Sequence, residues 1–187
     1  MIYLSKGIVG TASAEQLIHV LHSGQEYNLT GIDAAMWLNG RFDFTKVESV
    51  AERQAADHLL RMGLIEAETD EADVCKYRIA TRCVFCPADT KGSVPLLKSR
   101  EKQILNWLKY AGVRLSVAEL VYLFEHKIEA SQEILYTDNR QRLIERIYTK
   151  DTISDNILEI QMEYAECRDE VITGLMRLLR KKQLIVL

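Results

Sequence analysis

Both prolines of this 187-residue chain fall within one short stretch, Pro87-Ala-Asp-Thr-Lys-Gly-Ser-Val-Pro95. Proline lacks the backbone donor that a helix interior or a central strand requires, and the residues between the two are turn formers. The stretch reads as a linker over 87–98, separating a first domain over 1–86 from a second over 99–187. The rest of the chain is nearly free of such punctuation. With 2 Pro and 9 Gly in all, it has few residues for the turns of a sandwich or barrel, so helix is expected to dominate. Hydrophobic residues make up 48%, enough for two small cores and too many for a disordered chain.

Cutting the chain near this stretch also resolves its charge. Residues 1–90 carry 8 Lys+Arg against 13 Asp+Glu, a balance of -5, while residues 91–187 carry 16 against 14, a balance of +2. The total of -3 excludes a generally basic nucleic-acid coat, so any contact with phosphates has to be local. The longest apolar run, Leu120 to Phe124, falls far short of the ~18 residues of a membrane span. Met1 to Ala14 holds Lys6 and no sustained apolar core, so neither a secretory signal nor a membrane anchor is expected. Four unevenly spaced cysteines fit the reducing cytoplasm better than a disulfide framework.

Before the linker, Leu17, Ile18 and Leu21 have helical spacing, which predicts a helix over Ala14–His22 capped by Ser13. Thr30 and Asp33, three apart, form a variant capping box for a second helix through Ala34, Ala35 and Leu38. A third helix is expected from Thr45 or Ser49 to Met62, with Ala51, Ala55 and Leu59 on one face and Gly63 as its C-cap. Leu64–Thr69 and Val74–Phe85 then read as strands around an Asp70-Glu-Ala-Asp73 turn. After the linker the pattern recurs in weaker form. Glu15-Gln-Leu-Ile18 parallels Lys102-Gln-Ile-Leu105 at an offset of 87, and Thr30, Asp33 and Leu38 parallel Ser116, Glu119 and Phe124 at 86. Leu59-Leu-Arg-Met-Gly-Leu-Ile65 parallels Leu179-Arg-Lys-Lys-Gln-Leu-Ile185 at 120, which implies a helical insertion at about 126–160.

Leu59-Leu-Arg-Met-Gly-Leu-Ile-Glu66, followed by the expected hairpin, resembles the junction of the third helix and wing in winged helix-turn-helix proteins. The chain as a whole resembles a tandem of two, over 14–86 and more weakly over 100–187. The expected fold is mainly α with a small β-hairpin, in two winged-helix-like domains, the second carrying the insertion. The resemblance implies a transcription regulator that inserts its third helix into the major groove of double-stranded DNA. A minority of the family binds proteins instead, so a non-catalytic protein-interaction adaptor is the alternative.

A DNA-reading helix needs an apolar face for the core and a polar, basic face for phosphates and base edges. On the first third helix the candidates are Arg53 and Gln54 for bases and His58 and Arg61 for phosphates, with Glu52 and Asp57 working against them. Glu66, Glu68, Asp70, Glu71 and Asp73 would cluster at the base and tip of the first wing, where phosphates would repel the tip. In the second domain Arg177, Arg180 and Lys181 are candidates on the last helix, though basic residues there also complement the helix dipole. Only a first wing strand is expected after that helix, before Leu187. Arg140, Arg142 and Arg146 line the basic side of an amphipathic helix in the insertion, with Leu143, Ile144 and Ile147 on its apolar side. Ile157, Ile160, Tyr164, Cys167, Val171, Gly174 and Leu178 step by three and four, a seam that either pairs with a second copy in a homodimer or packs within its own domain.

Cys83-Val-Phe-Cys86, with Cys75 upstream, lacks a second pair of metal ligands, so buried strand cysteines are the expectation over a zinc site. His19 and His22 have no supporting carboxylate pattern. The chain contains no P-loop, dinucleotide fingerprint, Gly-x-Ser-x-Gly or His-Glu-x-x-His. Neither an enzyme nor a cofactor is expected. Trp37, Trp107, Tyr110 and Tyr122 are expected to pack the two cores.

Overall fold

The computed structural model describes residues 1–10, 17–88, 95–110, 115–130, 139–149 and 158–187, with the backbone alone at positions 110, 139, 140 and 142. The described residues form a mixed α/β chain of eight helices and small antiparallel sheets. They divide into two compact units, Met1–Cys83 with Ile185–Leu187, and Val84–Leu184.

The first unit opens with strands rather than a helix. β1 (Ile2–Ser5) and β2 (Ile8–Val9) precede a hairpin of β3 (Leu17–His22) and β4 (Gln25–Thr30). The helix expected over 14–22 is therefore corrected to a strand over its described part; Ser13 lies outside the described residues. The physical reason lies in Ser23-Gly24. Both have positive φ, 50° and 77°, as a two-residue type I′ hairpin turn requires. That turn fixes the pairing of His22 with Gln25 and of Val20 with Tyr27. On β3, Val20 then faces the core and Leu21 faces out beside Ile8 of β2, so the apolar residues serve two faces of a strand.

α1 (Gly31–Asn39) and α2 (Val50–Arg61) follow. Thr30 is extended at the head of α1 but makes no side-chain cap hydrogen bond; its expected partner Asp33 is instead bound to His58. The cap of α2 is complete. Ser49 Oγ accepts from the Glu52 amide (3.2 Å), and the Glu52 carboxylate accepts from the Ser49 and Glu48 amides. These bonds hold the Glu52 carboxyl below its ordinary range. Gly63, at φ +72°, ends the helix as expected. Trp37, Ala56, Leu59, Leu64 and Tyr3 pack into one core, with the Tyr3 hydroxyl donating to the Met36 carbonyl (2.9 Å).

The larger correction comes next. β6 (Ile65–Glu68) pairs antiparallel with β1, whose other neighbour is the short β5 (Thr45–Lys46). The segment expected to return as the second wing strand is α3 (Asp73–Thr81), so the wing hairpin is absent from the described residues. Cys75, Tyr77 and Ile79 are all buried, and this alternation imitates a strand. Of the acidic residues read into the wing, Glu66 and Glu68 lie on β6, while Asp70, Glu71 and Asp73 lead into or open α3, where negative charge suits the helix dipole.

In the second unit, β7 (Phe85–Pro87) runs beside the segment leading into β8 (Leu184–Val186), with the Ala88 amide donating to the Gln183 carbonyl (2.9 Å). α4 (Ser99–Tyr110) and α5 (Val117–Glu125) match the expected helices, and Ser116 and Glu119 form the capping box. α6 (Asn139–Ile147) buries Leu143 and Ile147 as its pattern predicts, but Ile144, expected on the same apolar side, is exposed. Over its described residues, 158–178, the seam is not one helix; Ile157 lies outside the described residues. α7 (Leu158–Met162) ends, turns cover 163–167, and α8 (Arg168–Arg180) begins. Ile160 and Tyr164 are 50% and 83% exposed while Val171 and Leu178 are fully buried, so no continuous stripe survives for a paired copy. α8 packs on α4 through Gly174, where an added Cβ would lie 2.4 Å from Ile104 Cδ1.

The repeat is also re-registered. After α2, the amides of Gly63 and Leu64 donate to the carbonyls of Leu60 and Leu59; after α8, those of Lys182 and Gln183 donate to Leu179 and Leu178. Lys182 adopts φ +55°, the left-handed conformation that Gly63 supplies in the first unit. The two helix ends therefore match at an offset of 119, one less than the sequence alignment. The match between residues 15–18 and 102–105 sets α4 against a segment that is strand from Leu17 onward.

Candidate nucleic-acid interface

Four candidates, Arg53, Gln54, His58 and Arg61, lie on α2 and are all exposed. Ala55, Ala56 and Leu59 face the core, so the helical period places these four on the solvent side. Two of them have partners. His58 Nδ1 lies 2.7 Å from Asp33 Oδ2 on α1, and Arg53 Nη1 lies 3.2 Å from Met1 Sδ. Gln54 and Arg61 make no hydrogen bond or ion pair among the described residues. Asp57 lies on the same face, four residues from both Arg53 and Arg61, where it offsets the local positive charge.

The acidic group at 66–73 is internally matched. Glu66 pairs with Lys6 (2.7 Å) and Arg82 (3.7 Å), Glu68 with Arg82, Glu71 with Lys46, and Asp73 with Lys76 (2.7 Å). Beside this network, burial is the main reason that His22 is held below its ordinary value, with the Lys6 charge adding to it. Burial likewise pushes the Cys83 thiol up to about 12. A thiol so protonated is neither a nucleophile nor a ready metal ligand. None of the four cysteines is in a disulfide, and no cluster of three or more potential metal ligands occurs among the described residues.

On α8 the candidates separate. Arg177 and Arg180 are exposed near its end, whereas Asp169 and Glu170 occupy its first turn. Lys181 turns to its own unit: Nζ lies 2.6 Å from the Glu101 carboxylate and donates to the Leu96 carbonyl (2.9 Å). Glu101 is 2% exposed at its side chain and also accepts from the Lys98 amide (2.9 Å). Burial alone would raise its carboxyl, but those bonds and the charges of Lys181 and Arg177 hold it below the ordinary range. Arg146 is exposed on α6; the side chains of Arg140 and Arg142 lie outside the described residues.

Trp37, Trp107 and Tyr122 are buried as expected; the Tyr110 side chain lies outside the described residues. Sequence reasoning missed Arg100, Gln103 and Asn106, which line a cavity beside α4. Their signal was present as three polar residues spaced by three on a helix whose other positions include the buried Ile104, Leu105, Trp107 and Leu108. No helix among the described residues is long and apolar enough to cross a membrane. No protein-family model, curated protein or solved structure matches the chain.

Proposed function

We propose that this chain is a non-catalytic protein-interaction adaptor that docks a protein partner on the solvent face of α2. The observation that carries this reading is the balanced charge of that face. Arg53 and Arg61 flank Asp57, His58 is held by Asp33, and Val50 at the helix head is 78% exposed. An apolar residue beside alternating charges suits a protein surface, whereas a polyanion needs an excess of unpaired cations. α8 points the same way, because its first turn, the part of a recognition helix that meets base edges, carries Asp169 and Glu170.

The order α4, α5 and α8, with α6 and α7 inserted, supports a winged-helix-like second unit. DNA binding is the second reading, favoured by one observation: Arg53 and Gln54 are exposed near the start of α2. Titration with mixed-sequence duplex DNA at about 50 and 200 mM salt separates the two, since phosphate contacts release counterions and make affinity steeply salt-dependent. The adaptor reading expects no binding at either salt. Binding that weakens at least about tenfold between them, and that is lost in Arg53→Ala/Arg61→Ala, would overturn it.

A further inference from the structure

The second unit carries a cavity of about 440 Å³ beside α4, within the ~300–1,000 Å³ range of sites that enclose small ligands. Its apolar lining comes from Trp107, Phe124 and Ile128. Opposite in character are Arg100, Gln103 and Asn106, spaced by three along one side of α4, with Lys127 from the turn after α5. The Arg100 guanidinium lies 5.1 Å above the centroid of the Phe124 ring and is also paired with Glu170. The side chains of Gln103, Asn106 and Lys127 make no hydrogen bond or ion pair among the described residues, although each residue lines the cavity.

The charge of the lining narrows the ligand. Arg100 and Lys127 supply two positive charges, Glu129 also lines the cavity, and Glu170 already offsets part of Arg100. Glu170 lies outside the lining; within it Arg100 and Lys127 against Glu129 leave one positive charge, which is too little for a polyphosphate and matches a single carboxylate. Guanidinium has five donors in a planar fork, so Arg100 has capacity for a second carboxylate beside Glu170. Phe124 and Ile128 offer half-buried apolar surface to a flat ring, and two unpartnered carboxamides offer both donors and acceptors to its edge.

We propose that this cavity binds a planar aromatic monocarboxylate, with its ring against Phe124 and Ile128 and its carboxylate held by Arg100 and Lys127. Gln103 and Asn106 read polar atoms on the ring edge. The inference is independent of the adaptor reading, which concerns α2 in the first unit.

Isothermal titration of the full chain with indole-3-carboxylate, and separately with neutral indole-3-carboxamide, provides the test. The acid is expected to bind with Kd below about 1 mM and at least about tenfold more tightly than the amide. Arg100→Gln is expected to abolish that preference. Because Arg100 also pairs with Glu170, Asn106→Asp serves as a second variant: it alters an exposed side chain, and is expected to weaken the acid about tenfold by charge repulsion. Lys102→Asp, on the same helix outside the cavity lining, should leave the affinity unchanged. Equal affinity for acid and amide, no heat from the acid up to about 10 mM, or equal losses in Asn106→Asp and Lys102→Asp would overturn the proposal.

Discussion

Replacing Lys181 by Met is expected to destabilise the protein, and the size of the loss follows from the surroundings of its partner. Lys181 Nζ lies 2.6 Å from the Glu101 carboxylate, whose side chain is 2% exposed, and the other Glu101 oxygen has no hydrogen-bond partner among the described residues. Removing one member of a buried pair costs about 3–5 kcal/mol, because the remaining charge is left without compensation. Here Lys181 is itself 30% exposed, and the Lys98 amide stays bound to Glu101. Both soften the loss to about 2–3 kcal/mol. At this chain length that corresponds to a fall of about 4–12 °C in Tm. Urea and thermal unfolding measure it, and Lys181→Met/Glu101→Gln should recover at least about half, since no buried charge then remains. The pH dependence has a definite sign. The folded Glu101 carboxyl lies below its ordinary range, so its stabilisation is complete above the unfolded value near 4.3 and is lost as pH falls through the depressed folded value. Wild type and Lys181→Met should therefore converge on acidification. A difference under about 0.5 kcal/mol at neutral pH, or no recovery in the double variant, would refute the reasoning. If Lys181 were instead a phosphate contact, its replacement would lower DNA affinity and leave stability untouched.

Gly174→Ala should destabilise by about 1–2 kcal/mol, because overpacking against Ile104 outweighs the helix propensity gained. Ile104→Val removes the obstructing Cδ1, so a double-mutant cycle should show favourable coupling; additive losses would contradict the close approach. Ser49→Ala removes half of the α2 capping box and should cost about 1 kcal/mol in urea unfolding, with no effect at all counting against the cap. Cys83 and Cys167, each raised to about 12 with burial as the largest cause, should resist alkylation of the native protein at pH 8. Labelling at the rate of the unfolded chain would show that these thiols are not protected.

The capped helices were legible because their signals are local. Ser49 with Glu52 and Ser116 with Glu119 each form reciprocal bonds within one helical turn, and Gly63 ends α2 through its own positive φ. The two misread segments are those whose burial is decided by distant partners. Leu17, Ile18 and Leu21 satisfy helical spacing as well as strand alternation, and only the Ser23-Gly24 turn with its pairing to β4 selects the strand. In α3 the buried residues are Cys75, Tyr77, Ile79 and Ala80, which alternate before they run together, so the helix shows no clean apolar stripe. Of the candidate interface, the shared α2 face could be read from the helical period. The pairing of His58 with Asp33 and of Lys181 with Glu101 joins residues 25 and 80 apart, and no local pattern announces either.

The adaptor account is tested most directly at Val50, the exposed apolar residue at the head of α2. A photo-crosslinking amino acid at this position, irradiated in the cells that normally make the protein, should yield a discrete adduct with another protein. The same group at exposed Lys102, in the second unit, should not give that adduct. Adducts at position 50 that are digested by nuclease and resist protease would contradict the account and return α2 to the nucleic-acid reading.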